Sequence, residues 1–303
     1  MQKLAPIALF VYNRPEHTRR TLQFLQQNEL AADSHLFIFS DGSKNAKQAE
    51  KVAEVRALIK QVDGFKSVEI IERSSNLGLA NSVISGVTQL MDEYGKAIVF
   101  EDDLITSPYT LCYFNDALDR YEKEEQVMHI GAYMYPLPIA ESEQLPETFF
   151  FRAATSWGWA TWSRAWQQFN PDVNQLMEQF SAEQKHQFSI EGNMNFWKQM
   201  QELKAGSNNS WAIRWYASIF LKGGLTLNPA HSLVSNIGHD GSGVHSGINE
   251  IYNVSINPQP VKHFPDLIAE HAEAYNFIKI FLKNRKGNLW QRVLRYVNQH
   301  LRA

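Results

Sequence analysis

Residues Ala97–Leu104 read AIVFEDDL, four apolar residues followed directly by Glu101, Asp102 and Asp103. A short apolar run that ends in polar residues predicts a buried central strand surfacing at its carboxyl end. Open α/β sheets bind their ligands at that end. Three adjacent carboxylates repel one another and resist burial, so the cluster calls for a cation. Magnesium and manganese suit it, because both take one or two carboxylates and complete their shell with phosphate oxygens and water. The stretch alone reads as a metal site for a diphosphate-bearing ligand or as an acidic surface turn.

Upstream, the same pattern recurs. Pro6–Tyr12 (PIALFVY) predicts a buried strand ending in Asn13-Arg14-Pro15, and Pro15 opens a helix with Glu16 in its first turn. Such a strand–turn–helix unit offers N–H groups and a basic side chain to an anion or a base; the plainer reading of Asn13-Arg14 is a helix cap. His35–Phe39 predicts a second strand, running into Ser40-Asp41-Gly42-Ser43. Asp41 there can accept from a base N–H or a ribose hydroxyl, or can form an ordinary Asp-Gly turn. A helix over 46–62, a strand over Ser67–Ile71 and the loop Asn76-Leu77-Gly78 follow. The next helix carries Val83, Val87, Leu90, Met91 and Tyr94 at helical spacing, and Gly95 stops it. The first hundred residues thus spell β-α-β-α-β-α-β, a mostly parallel sheet with helices on both faces and one shared polar rim. Ser107-Pro108 is expected to start the following helix.

Downstream the signals are weaker. Val127–Tyr133 and Thr148–Ala153 read as strands around a proline-bearing loop, Pro136–Pro146. In Trp157-Gly158-Trp159-Ala160-Thr161-Trp162 the glycine allows close approach and the indoles supply flat apolar faces, which suits either a sugar or an aromatic core. Phe188–Asn209 is polar and resists assignment; Trp211–Phe220 reads helical, and Leu225–Leu227 and Leu233–Val234 read as short strands. The run Asn236–His245 (NIGHDGSGVH) reads as a polar lid whose His239 or His245 can ligate metal or bind phosphate.

The chain has 303 residues, enough for one large domain or two modest ones, and its formal charge of -3 argues against nucleic acid as a partner. From Phe277 onward there are seven Lys/Arg and no Asp or Glu. Tyr275–Leu301 reads as a basic amphipathic helical tail, fit for an anionic membrane surface or for docking on the body or on a second protomer. Cys112 is the only cysteine, which excludes an intramolecular disulfide and suits a reducing cytoplasm. The first apolar stretch, Leu4–Tyr12, lacks the basic lead and cleavage site of a signal peptide.

Together, Tyr12-Asn13-Arg14-Pro15, Asp41, Asn76-Leu77-Gly78, Glu101-Asp102-Asp103 and Trp157-Gly158-Trp159 resemble, in order and spacing over residues 5–245, the GT-A nucleotide-sugar glycosyltransferases. The resemblance is closest to family-2-like bacterial sugar transferases and the N-acetylglucosaminyltransferase I type. It implies an α/β GT-A fold, a Rossmann-like mixed sheet with helices on both faces, plus the helical tail. Residues 1–125 would form the nucleotide-sugar half, 126–260 the acceptor half of the same domain, and 261–303 the tail. Val11, Tyr12, Asn13, Arg14, Asp41, Asn76, Leu77 and Gly78 would hold base and ribose. Asp103 would ligate Mn2+ or Mg2+, with His245 as second ligand, while Glu101 and Asp102 would contact ribose, donor sugar or metal-bound water. Trp157, Gly158 and Trp159 would lie beside donor sugar and acceptor, and Arg214 would contact phosphate or acceptor. The implied activity is metal-dependent transfer of a hexose or N-acetylhexosamine from a nucleoside-diphosphate sugar, UDP-sugar foremost, to a glycan or lipid-linked acceptor of bacterial surface polysaccharide or lipopolysaccharide. The expected setting is the cytoplasm, peripheral on the inner face of the membrane, with a homodimer open.

One departure stands out. Where the N-acetylglucosaminyltransferase I type carries its catalytic carboxylate, this chain has Trp211-Ala212-Ile213-Arg214, without an acid. Inversion, the expected course, then needs a base from Asp240, His239, Glu191 or Glu202, with Asp240 foremost; otherwise the configuration is retained and no such base is needed. The alternatives are an inactive sugar-nucleotide or glycan-binding protein and a sugar nucleotidyltransferase; against the latter, Tyr12–Glu16 contains no glycine.

Overall fold

A computed structural model describes residues 3–239 and 251–285. The strands are β1 (Ile7–Val11), β2 (His35–Ser40), β3 (Ser67–Glu72), β4 (Lys96–Glu101), β5 (Leu104–Thr106), β6 (Val127–Gly131), β7 (Thr148–Phe151), β8 (Trp159–Trp162), β9 (Leu225–Pro229) and β10 (Val234–Asn236). The helices are α1 (Pro15–Gln26), α2 (Ala46–Ile59), α3 (Leu79–Tyr94), α4 (Thr110–Arg120), α5 (Ile139–Ser142), α6 (Ser163–Trp166), α7 (Val173–Glu178), α8 (Ala182–Phe188), α9 (Phe196–Lys204), α10 (Trp211–Leu221) and α11 (Ala272–Asn284).

Eight strands form one mixed sheet in the order β3-β2-β1-β4-β8-β6-β9-β7, and β5 pairs with β10 in a small second sheet. β3, β2, β1 and β4 run parallel, as the alternating strand and helix pattern predicts. β8 lies antiparallel between β4 and β6, so the strands of both expected halves share one sheet.

Alternate residues of β1 feed opposite faces, as a strand's two-residue period requires. Ile7, Leu9 and Val11 join α1, α2 and α4 in one core, whereas Ala8 and Phe10 join α3 and α10 in another. Helices therefore cover both faces. At roughly 25 cal/mol per Å2 of apolar surface removed from water, these cores are what hold the sheet together. A third core packs α7 to α11 against Phe149 and Phe151 of β7.

Several elements depart from the sequence reading. The strand expected from Val127 to Tyr133 ends at Gly131, and that expected from Thr148 to Ala153 ends at Phe151. Helix α4 starts at Thr110, because Ser107 is drawn to the β10 side: its N–H donates to the Leu233 carbonyl at 2.8 Å. The segment Trp159–Trp162, whose indoles suited either a sugar or an aromatic core, is the strand β8, and both tryptophans lie in the core. Helix α11 buries Ala274, Tyr275, Ile278 and Leu282 in the third core, so the described part of the tail is docked on the body. Arg152 clasps Glu270 ahead of it, with Nε 2.8 Å from Oε1, and Lys279 pairs with Glu191 at 3.0 Å. The rest of the basic tail lies outside the described residues. Among the described residues no helix is long and apolar enough to cross a membrane.

Candidate active site

The acidic triplet sits where β4 ends, beside the ends of β1 and β2. The register places Phe10 opposite both Glu101 and Phe39. Two loops are sewn together here by Asp41, which is 5% exposed. Its Oδ1 accepts from the N–H groups of Gly42 (2.9 Å) and Leu77 (2.8 Å), and its Oδ2 from Gly78 N–H (2.9 Å) and Asn76 Nδ2 (2.9 Å). Those four bonds use the capacity of a carboxylate. Asp41 was expected to meet base or ribose; in this arrangement it fixes the 76–78 loop instead. The loops approach so closely that a Cβ on Gly42 would stand 2.5 Å from the Ser75 carbonyl carbon.

The β1 end contributes mainly through its backbone. The Val11 carbonyl accepts from Asp41 N–H at 3.1 Å, and Tyr12 N–H donates to Asp102 Oδ2 at 3.2 Å. The Tyr12 hydroxyl donates to Gln48 Oε1 at 2.6 Å and accepts from Lys44 N–H at 3.0 Å. Asn13 lies half-buried in the turn before α1. Arg14 reaches across to Asp103, with Nη1 2.9 Å from Oδ2, and the two side chains are 15% and 16% exposed.

The β5–β10 pair returns the chain to this rim. Ile237 N–H donates to the Asp103 carbonyl at 2.8 Å, and Asn236 Nδ2 reaches Asp103 Oδ1 at 3.3 Å. Gly238 lies directly on the ion pair: a Cβ there would stand 2.1 Å from Asp103 Oδ2 and 2.9 Å from Arg14 Nη1. Sequence reading saw the loop's polarity but not its partner. The only signal was a glycine, and a glycine does not name what approaches it.

The electrostatics record surplus negative charge. Burial raises the Glu101 carboxyl to about 8, helped by Asp103 and Asp102 and opposed by a hydrogen bond from Trp211 and by Arg14. Burial also raises Asp102 to about 7, helped by Asp103 and opposed by Arg14 and the Tyr12 N–H. Among the described residues no three His, Cys, Asp or Glu side chains form a group that could hold a metal ion. The donor chemistry fits a different kind of site. A hard cation that keeps most of its shell in water and phosphate oxygens needs only a carboxylate or two, and would relieve this repulsion.

Beside the rim opens a cleft of about 390 Å3, lined among others by Tyr133, Tyr135, Thr155, Trp157, Phe196, Tyr216, His239, Tyr252 and Arg285. Trp157 stands edge-on to Tyr133 and His239, with centroids 4.5 and 5.1 Å apart. Both ring nitrogens of His239 are buried without a hydrogen-bond partner among the described residues. Trp157 thus lies where a sugar could meet it.

Its neighbours in the motif do not. Trp159 is 0% exposed and stacks on Trp211 and His129 at 5.1 and 5.3 Å, because β8 turns it into the core under the sheet. Gly158, at φ +66°, lets the backbone pass Val234 and Phe100, which its Cβ would meet at 3.1 and 3.2 Å; the close approach is to core, not ligand. Arg214, also expected at phosphate or acceptor, is 8% exposed and bolts α10 to its surroundings: Nε donates to the Ser210 carbonyl at 3.1 Å and Nη2 to Asn209 Oδ1 at 2.9 Å. Glu191 is held by Tyr275 and Lys279, both at 3.0 Å, and Glu202 faces Lys198 at 3.6 Å. Asp240 and His245 lie outside the described residues.

No family model and no curated protein sequence matches the chain. Solved structures similar to it include a mannosyltransferase from Pyrobaculum calidifontis in complex with GDP-Man and Mn2+, at 11% identity over 74% of this chain and 72% of that one, TM-score 0.40. Mouse xyloside xylosyltransferase 1 aligns at 14% identity over 71% and 80%, TM-score 0.38. Residues 1–349 of S. aureus TarS align at 10% identity over 76% and 59%, TM-score 0.43. Against the longer S. aureus TarS chain, the match spans 21% of that protein.

Proposed function

We propose that this chain is a glycosyltransferase that holds a nucleoside-diphosphate sugar at the acidic rim and delivers its sugar to an acceptor in the adjoining aromatic cleft. The observation carrying the reading is the rim itself. Three carboxylates at the end of the central strand, two of them raised by burial and mutual repulsion, face one arginine and are roofed by Gly238. The 76–78 loop, held by Asp41, and the backbone from Val11 to Arg14 form the pocket for base and ribose. Glu101 and Asp102 face ribose or donor sugar.

Asp103 would hold Mn2+ or Mg2+, with His245 as second ligand; such an ion supplies charge neutralisation on the departing diphosphate. In the transfer, the bond between the anomeric carbon and the diphosphate oxygen breaks, and its electron pair leaves with the diphosphate. The acceptor oxygen bonds to that carbon and surrenders its proton to a base. His239 is the proposed base, with Asp240 next to it in sequence, and displacement from the opposite face inverts configuration. Trp157 and His239, in contact at the mouth of the cleft, mark where donor and acceptor meet. The resemblance favours a UDP-sugar donor carrying a hexose or N-acetylhexosamine, a surface-polysaccharide or lipid-linked acceptor, and work at the cytoplasmic face of a membrane.

A specific observation also supports a metal-independent variant. Arg14 already stands 2.9 Å from Asp103 and could itself neutralise the diphosphate. The test is release of nucleoside diphosphate from UDP- and GDP-sugars by the purified chain, with Mn2+ or with EDTA. Metal-dependent release that Asp103→Ala abolishes supports the first form; release in EDTA that Arg14→Gln abolishes supports the second. Binding without release by either route would leave a sugar-nucleotide-binding protein.

A further inference from the structure

The cleft has an electrostatic character that the rim does not. Among the described residues that line it none is Asp or Glu, and Arg285 is the one permanent charge. Arg285 is fixed by Nη1, which donates to the Asn193 carbonyl at 2.7 Å and to the Leu282 carbonyl. Its Nε and Nη2 have no hydrogen-bond partner among the described residues. No acid among the described residues answers this guanidinium inside the cleft. The rim carboxylates turn instead to Arg14, Tyr12 and Trp211. Two more groups are unsatisfied: Thr155 Oγ1 and both nitrogens of His239 are buried without partners among the described residues. Orphaned buried polar atoms cost free energy until a ligand or water meets them. The walls between are aromatic, with half-buried Trp157 and Tyr252 offering ring surface of the kind on which pyranose rings rest and buried Tyr133 backing Trp157.

We infer that the cleft binds an acceptor pyranoside bearing a negative charge, a carboxylate or a phosphate, with Arg285 as the residue that reads it. This rests on the transferase reading for the word acceptor, but the binding itself does not need the donor site. A guanidinium fork matches either oxyanion in a bidentate manner, so the shared chemistry is a planar or tetrahedral oxyanion on a sugar.

The experiment titrates the intact chain, without nucleotide, with methyl β-D-glucoside, methyl β-D-glucuronide and glucose 6-phosphate. Tryptophan fluorescence and saturation-transfer NMR read the binding. The expected result is that at least one anionic sugar binds about tenfold tighter than the neutral one, the size of one charge-assisted pair. The tighter of the two anions names carboxylate or phosphate. Arg285→Gln should bring all three to the neutral affinity, Arg285→Lys should keep part of the preference, and added salt should weaken only the anions. Equal affinities in the wild type, a preference surviving in Arg285→Gln, or no binding of any sugar would overturn the inference. Failure of the donor reading would register elsewhere, as loss of Asp103-dependent diphosphate binding with sugar binding intact.

Discussion

At the rim, three carboxylates crowd against one guanidinium, and the backbone closes over them so tightly that residue 238 has no room for a Cβ. One residue further, at His239, the chain enters a cleft of aromatic rings whose described lining has no acid and one arginine. The rim is short of positive charge and small in reach; the cleft is broad, apolar-walled and short of hydrogen-bond partners. The contrast separates two ligands by chemistry, a diphosphate that arrives with or against a cation and a sugar that needs flat faces. Trp157 and Trp159 show the same division within one motif, for the first lines the cleft and the second is sealed in the core.

The hardest test of that division is at the two tryptophans. Trp159→Ala should cost about 3–5 kcal/mol of stability, the range for emptying a large buried aromatic site, seen as a loss of Tm or of soluble protein. Trp157→Ala should leave the melt nearly unchanged and abolish sugar binding in the cleft. The reverse pattern would dissolve the contrast. Next in size, Gly238→Ala should lower donor turnover about 100-fold, because Asp103 and Arg14 must shift by an ångström or more to admit the methyl group. Sugar binding in the cleft should survive it.

Asp41→Asn should weaken nucleotide binding and lower Tm by about 5 °C, since an amide nitrogen cannot accept from the Gly78 N–H or the Asn76 amide. Diphosphate titration reads the first effect and circular-dichroism melts the second. A further effect is in pH. His129 is held neutral by burial, at about 3, so the fold loses stability as pH falls below the ordinary histidine value, by up to about 1.4 kcal/mol per unit. Glu101 and Asp102 are raised to about 8 and about 7, so their contribution is present in acid and is lost as pH rises through those values. Both carboxyls begin to lose that contribution above the ordinary carboxylate range, and the two outweigh one histidine, so Tm should be highest near about pH 4 and fall from there to about pH 8. Mn2+ should restore the alkaline limb alone. A melt that rises steadily to pH 8 without metal would show that the carboxylates are not in surplus.

How much of this was legible follows from the range of each signal. The parallel half was readable because each strand and helix there announces itself locally: Pro15 opens α1, and Gly95, at φ +76°, closes α3. The acidic triplet was readable for the same reason. The second half depends on pairings made at distance. Nothing local in Trp159–Trp162 says that it slots between β4 and β6, so its indoles suited a sugar as well as a core. Asp41 was legible as an acid at a strand end, but that its four acceptor positions would be filled by 42 and 76–78 depends on the loop that folds over it. Arg214 and Arg285 look alike in sequence. Only packing shows that backbone carbonyls and Asn209 occupy the first, while the second lines the cleft.

The most direct test of the central claim is the thermal stability of the purified chain against UDP, GDP, CDP and dTDP, each with Mn2+ and with EDTA, repeated for Asp103→Ala. A ligand at about a hundred times its dissociation constant adds roughly 2.7 kcal/mol, which a melt resolves readily. The account predicts that one diphosphate raises Tm in the wild type and none does in Asp103→Ala. No stabilisation by any diphosphate, or an equal shift in the variant, would contradict it and return the acidic triplet to the status of a surface turn.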